Sequence, residues 1–163
     1  MNLTVRAPLL LAGLMAAVAW LAGCSGLMAE KQIRERIFSI RASILAKRAE
    51  GIVEFGTPDW RFDGPDGKSY DRAAYLARTA RLFAGIEIES LDTHIDSCRM
   101  RDARAEIMLT QTMVRIETDA AGVRARWKVR YREKQEWVET RTRGWLVTSV
   151  MVFHPEREKL PLP

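Results

Sequence analysis

The sequence predicts an α+β domain: a curved antiparallel sheet with N-terminal helices packed on one face. Three observations carry this reading. Apolar residues recur at spacings of three and four from Ile33 to Leu45. From Ile86 onward the apolar period becomes two. Between these regimes lies the dense turn signal Asp63-Gly64-Pro65-Asp66-Gly67. Helices first and a run of long strands afterwards is the element order of an α+β layout.

The N-terminal segment precedes this plan. Residues 1–8 carry one cation, Arg6, and Leu9 to Trp20 is almost wholly apolar. The apolar stretch from Leu9 to Gly23 is 15 residues long, short of the roughly 20 that a spanning helix needs. It closes on Leu21-Ala22-Gly23-Cys24, which resembles a bacterial lipobox, with small residues ahead of the cysteine that becomes acylated. Residues 1–23 are then expected to be a lipoprotein signal peptide, with Cys24 lipidated and 24–28 a short tether. Two or three acyl chains, at about 0.8 kcal/mol per buried methylene, hold a protein on a membrane where a single chain does not. Ser25 in place of an aspartate points to the outer membrane, facing the periplasm.

Cleavage before Cys24 leaves 140 of the 163 residues, enough for one domain with a real core. Arg6 is the only charged side chain removed, so the formal charge falls from +5 to +4. That mild excess is not the dense charge of a nucleic-acid binder, and no nucleic-acid partner is expected. Cys98 remains as the one cysteine besides Cys24, so no disulfide is predicted and Cys98 reads as a small buried residue.

The domain is expected over 29–154, with 155–163 as a tail. A first helix is predicted from Ala29 to about Glu50, with Ile33, Ile37, Ile40, Ile44 and Leu45 as its buried stripe and Gly51 as its stop. Its cations Arg34, Arg36, Arg41, Lys47 and Arg48 sit off the stripe, with pairs such as Glu30–Arg34 on a solvated face. Thr57 to Phe62 reads as a short extended segment. Asp71 then caps a second helix with Tyr75, Leu76, Leu82 and Phe83 on its buried side and Gly85 at its end.

Strands are predicted at 86–99, 103–118, 123–140 and 144–154, joined by turns at 119–122 and 141–144. In the third, Ala125, Trp127, Val129 and Tyr131 alternate with Arg124, Arg126, Lys128, Arg130 and Arg132. Four-residue turns set Arg126 opposite Arg115, Arg132 opposite Phe153 and Lys134 opposite Met151. Trp145, Val147, Met151 and Phe153 then share the outer face with Arg126, Lys128 and Arg130. An apolar patch bordered by arginines suits a second copy of the chain or an envelope protein as partner. The opposite face carries Trp127, Val129, Tyr131, Ile116, Val114 and Val150. Asp92, His94, Asp96 and Cys98 alternate along 86–99, but Leu91 and Ile95 hold the opposite parity. A bulge near Glu89-Ser90 is therefore expected to turn the polar residues outward, and no metal or other cofactor is expected.

Several local phrases resemble the nuclear transport factor 2-like superfamily, especially its SnoaL-like and ketosteroid isomerase-related branch. They are Thr57-Pro58-Asp59-Trp60 after the first helix, Asp66-Gly67 leading into Tyr70-Asp71-Arg72, and the hairpin from Glu136-Trp137-Val138 through Arg143-Gly144-Trp145-Leu146-Val147. The resemblance implies a cone-shaped domain whose helices and bent sheet enclose a pocket for a small apolar ligand. Asp59, Trp60, Tyr75, Trp127 and Tyr131 are the pocket candidates. In the isomerase branch a pocket aspartate removes a proton from carbon while a tyrosine and a protonated acid stabilise the oxyanion. Asp59 and Tyr75 lie in matching regions but in no catalytic phrase, so no catalytic residue is assigned. Two functions follow as expectations: an anchored envelope lipoprotein with a non-catalytic ligand-binding or assembly domain, or a small-molecule isomerase or cyclase using a carboxylate such as Asp59. The anchor has a direct test. A palmitate analogue fed to expressing cells should label the wild type and not Cys24→Ala; an unlabelled wild type, or equal label on both, refutes lipidation.

Overall fold

The isoleucine stripe does what its spacing predicts. The computed structural model describes residues 7–163, with side chains from Gly26 onward, so the Cys24 side chain lies outside the described residues. Helix α1 spans Ala7–Leu45. It starts upstream of the expected Ala29, passes through the segment read as a tether, and ends before the expected Glu50. Among the described residues no helix is long and apolar enough to cross a membrane. Ile33, Ile37, Ile40 and Ile44 are buried against the sheet, while Arg34 pairs with Glu30 at 2.6 Å on the solvated side.

The chain turns after Leu45, with Lys47 at φ 54°, into a short helix α2, Ala49–Val53. Gly51 is therefore not the stop. It lies inside α2, packed so closely on α1 that a Cβ there would stand 2.2 Å from Ser43 Oγ. Strand β1, Gly56–Asp63, follows, then β2, Ser69–Asp71, and helix α3, Arg72–Ala84. Asp71 caps α3 by accepting the Ala74 N–H at 2.8 Å, and Gly85 ends it. Phe83 is buried as expected, but Leu82 is exposed, one residue off the stripe.

Strands β3 (Ile86–Arg101), β4 (Arg104–Thr118), β5 (Arg124–Thr140) and β6 (Gly144–Leu160) complete one six-stranded sheet of order β2-β1-β6-β5-β4-β3. The sheet is mixed rather than wholly antiparallel, because β1 enters beside β6 and runs parallel to it. Helices α1, α2 and α3 cover one face, leaving the sheet open.

Bulges decide which side chains face in. The expected bulge in β3 falls between Ile88 and Ser90, and a second lies between Ile95 and Ser97. The first turns Leu91, Thr93 and Ile95 towards the helices and Asp92 and His94 outward; the second brings Cys98 back to the inner side. Between β4 and β5 the register is one residue from that expected: Arg115 faces Trp127 and Ile116 faces Arg126. The reason is Asp119, whose carboxylate accepts the N–H groups of Ala121 and Val123 and draws Val123 into the loop. Val114 and Ile116 accordingly stand on the face opposite Trp127, Val129 and Tyr131. In β6, Arg132↔Phe153 and Lys134↔Met151 pair as expected, but a register shift between Glu136 and Trp137 leaves Thr148 as an extra residue. That shift puts Trp145 and Val147 inside together with Val150. A further irregularity at His154, φ 51°, lets β6 continue to Leu160 along the segment read as a tail.

The contact at Gly51 yields a stability test. Gly51→Ala should cost about 1–3 kcal/mol by overpacking against α1, measured by urea denaturation. Adding Ser43→Gly should recover part of that loss; no loss in the single variant would refute the close approach.

Candidate functional site

The inner face and the three helices leave a cavity of ≈ 210 Å³ between them. Ile40 and Ile44 of α1, Ile52 of α2 and Phe83 of α3 form its apolar roof, and Met113, Val147 and Val150 line the sheet side. Trp60, Phe62 and Tyr75 form an aromatic wall: Tyr75 meets Trp60 edge-on at 5.0 Å between ring centroids and Phe62 at 4.7 Å. Such pairs stiffen the wall beyond simple burial.

The polar part comes from β4 and β5. Glu133 is only 6% exposed. Its Oε2 accepts Gln111 Nε2 at 2.9 Å, and its Oε1 accepts Gln135 Nε2. Trp137 Nε1 in turn donates to Gln135 Oε1 at 3.0 Å. This chain follows from strand geometry. Positions 129, 131, 133, 135 and 137 share the inner face, and Gln111 sits opposite Tyr131 on β4. Burial raises the Glu133 carboxyl above its ordinary value, with the two amide donors partly opposing the shift. Burial also pushes Tyr75 up to about 12, helped by the Glu133 charge, and raises Tyr131 for the same two reasons. Both phenols stay neutral at physiological pH. Gln111 Oε1 and Trp60 Nε1 are buried without a hydrogen-bond partner. Arg115 lies at the rim, its Nη2 2.6 Å from Glu117.

Of the five pocket candidates, Trp60, Tyr75 and Tyr131 line this cavity. Asp59 does not. It is exposed on the other side of the sheet in an open groove beside Arg99–Glu106, because β1 shifts register between Gly56 and Arg61. The neighbouring Thr57 hydroxyl and the local backbone hold its carboxyl below the ordinary value, the opposite of what a base in an apolar pocket shows. Trp127 faces inward but lies beyond the helices, where Arg157 of the extended β6 stacks on its ring at 4.3 Å.

The expected interaction face is smaller than its sequence pattern. Trp145, 2% exposed, belongs to the core, as does Val147. Phe153 is half-buried with Arg132 over its ring at 5.7 Å. Arg126 pairs with Glu89 at 2.8 Å and Lys128 with Glu158 at 3.6 Å, while Arg130 is exposed. On β3, His94 and Asp96 lie 3.9 Å apart, Asp96 accepts from the Thr110 hydroxyl, and Cys98 is apart from them on the inner side. Among the described residues no three acidic, histidine or cysteine side chains converge as a metal site would require.

Comparisons with known proteins bear on the fold. No family model and no curated relative matches this chain. Solved structures do. A nuclear transport factor 2-like superfamily protein from Salmonella enterica serovar Typhimurium superposes with a TM-score of 0.66 at 15% identity, over 80% of this chain and 94% of that one. A ketosteroid isomerase-like protein from Erwinia carotovora atroseptica gives 0.63 at 12% identity, over 80% and 95%. A conserved protein from Planctomyces limnophilus gives 0.66 at 14% identity, over 78% and 97%. The domain thus has the nuclear transport factor 2-like fold.

Glu133 carries a pH signature. A carboxyl whose pKa rises on folding stabilises the folded state below its unfolded pKa and loses that contribution as pH climbs through the folded value. Urea unfolding across pH should therefore show the stability of Glu133→Gln relative to wild type gaining as pH rises above the ordinary carboxylate range and levelling off in acid. A gain independent of pH would refute the shift.

Proposed function

We propose that this chain is a lipid-anchored envelope protein whose domain binds a small, largely apolar molecule bearing one hydroxyl group. The observation that carries the reading is the cavity itself: apolar walls around a polar floor on which Gln111 Oε1 still lacks a donor. Pockets for small molecules combine apolar lining with a few placed polar groups in this way. An apolar cavity of about 150 Å³ already takes up benzene, so this one suits a single substituted ring. A hydroxyl on that ring supplies the missing hydrogen bond, and a buried acceptor left unmatched costs about 1–3 kcal/mol. Membrane attachment rests on the Leu21–Cys24 box.

A second reading has its own support. A buried carboxyl with a raised pKa beside two neutral tyrosines is the environment of a group that moves protons. Against it, both Glu133 oxygens are already engaged by Gln111 and Gln135. Those amides hold the carboxyl as part of the floor.

Phenol, toluene and benzoate separate the possibilities. Phenol should raise the thermal midpoint and shift the Trp60 indole resonance, toluene should do so more weakly, and benzoate should not bind beside Glu133. Gln111→Leu should erase the preference of phenol over toluene. Failure of all three to perturb Trp60 refutes the binding reading. If Glu133→Gln keeps phenol binding yet abolishes a turnover found with the wild type, proton transfer is the function.

A further inference from the structure

Three cations in and just after α1 turn back onto the domain rather than outward. Arg36 donates to the carbonyls of Trp145 and Arg143, Arg41 to that of Leu91 at 2.8 Å, and Lys47 to those of Phe83 and Ile86. These bonds orient α1: residues near Lys47 reach the α3–β3 junction, and residues near Gln32 reach the β5–β6 turn. Gln32 Oε1 lies 3.5 Å from Trp145 N, and Glu30 and Arg34 both act on Cys98 near the far end of β3. The N-terminal apolar segment therefore enters the domain at the end formed by the β3–β4 and β5–β6 turns.

Those two turns are adjacent, joined by the Glu139 N–H donating to Ala103 O at 2.8 Å. Over residues 99–104 and 139–143 they carry five arginines, Arg99, Arg101, Arg104, Arg141 and Arg143, against two carboxylates, Asp102 and Glu139. Arg99 has Glu106 at 3.9 Å; Arg101, Arg104 and Arg141 form no ion pair among the described residues. All five are exposed. On α1, about one turn before the Gln32 that reaches the β5–β6 turn, Leu27 and Met28 are 71% and 68% exposed. Apolar side chains next to the apolar run, at an end of the domain rich in exposed cations, match the layering of a bilayer surface: acyl boundary inside, headgroup charge outside.

We propose that this arginine-bearing end of the domain rests on anionic lipid headgroups of the membrane that holds the N-terminal segment. The proposal rests on the anchored reading above. Each arginine near a negatively charged surface adds roughly a five-fold preference, about 1 kcal/mol, and high salt screens it.

The test uses the full chain reconstituted into vesicles of phosphatidylcholine alone or containing phosphatidylglycerol. Limited trypsin digestion with mass spectrometry reads cleavage at Arg101, Arg104, Arg141 and Arg143. Arg124, in the β4–β5 hairpin at the opposite end of the sheet, serves as internal reference for protease access. The ratio of turn cleavage to Arg124 cleavage should fall at least five-fold on the anionic vesicles and return in high salt. In Arg101→Gln/Arg104→Gln, protection of Arg141 and Arg143 should weaken. A chain that floats with both vesicles but shows one unchanged ratio refutes the headgroup contact alone. A chain that floats with neither refutes the anchor as well.

Discussion

Everything in this domain depends on how α1 is held across the sheet. A sheet apolar on one face must bury that face, and four isoleucines at helical spacing supply the cover. Apolar contact alone leaves the helix free to slide along its ridges. Three long cations remove that freedom by bonding to main-chain carbonyls at both ends and the middle of the sheet. A slide of one helical turn, about 5.4 Å, would break all of them. The cavity roof is made by Ile40 and Ile44, so the same bonds that fix the helix also set the height of the pocket.

Inside that fixed frame a buried carboxyl is tolerable. Glu133 ends a line of donors running from the Trp137 indole through Gln135, with Gln111 donating from the other side. Each donation offsets part of the cost of removing the carboxyl from water, and burial still raises its pKa. Because the line runs one way, its open position is an acceptor, Gln111 Oε1. The floor has capacity for one further donor. An anion has no proton to give that acceptor.

The strands and helices were largely legible because long elements repeat their signal. The 3.6 period of Ile33–Ile44 and the two-residue period of β5 each extend over many residues, so local exceptions do not blur them. Facing was legible only where no residue intervened. Leu91 and Ile95 betray the first β3 bulge by their parity. Thr148, an ordinary strand residue, gives no such sign, so unbroken alternation assigns Trp145 and Val147 to the outer face. Asp59 is a pocket candidate only through the family resemblance, and β1 turns its neighbour Trp60 inward while leaving Asp59 in solvent. Glu133 was hidden in the polar run Arg132-Glu133-Lys134-Gln135-Glu136. The signal that reveals it is parity: alternation from Val129 and Tyr131 to Trp137 passes through Glu133 and Gln135 without a break.

The pocket and the arginine-bearing end are tied by α1, and its rise sets the distance between them. From Gly26 to Ile40 a helix climbs about 20 Å, at roughly 1.5 Å per residue. If the turns rest on headgroups as proposed, the cavity would stand beyond the polar layer of the bilayer rather than within it. On that proposed placement a ligand would have to cross water to pass from the acyl region to the cavity. That crossing favours a molecule small enough to stay soluble and carrying a hydroxyl to keep it so. It is the class of molecule proposed above from the size of the cavity and the free acceptor on Gln111.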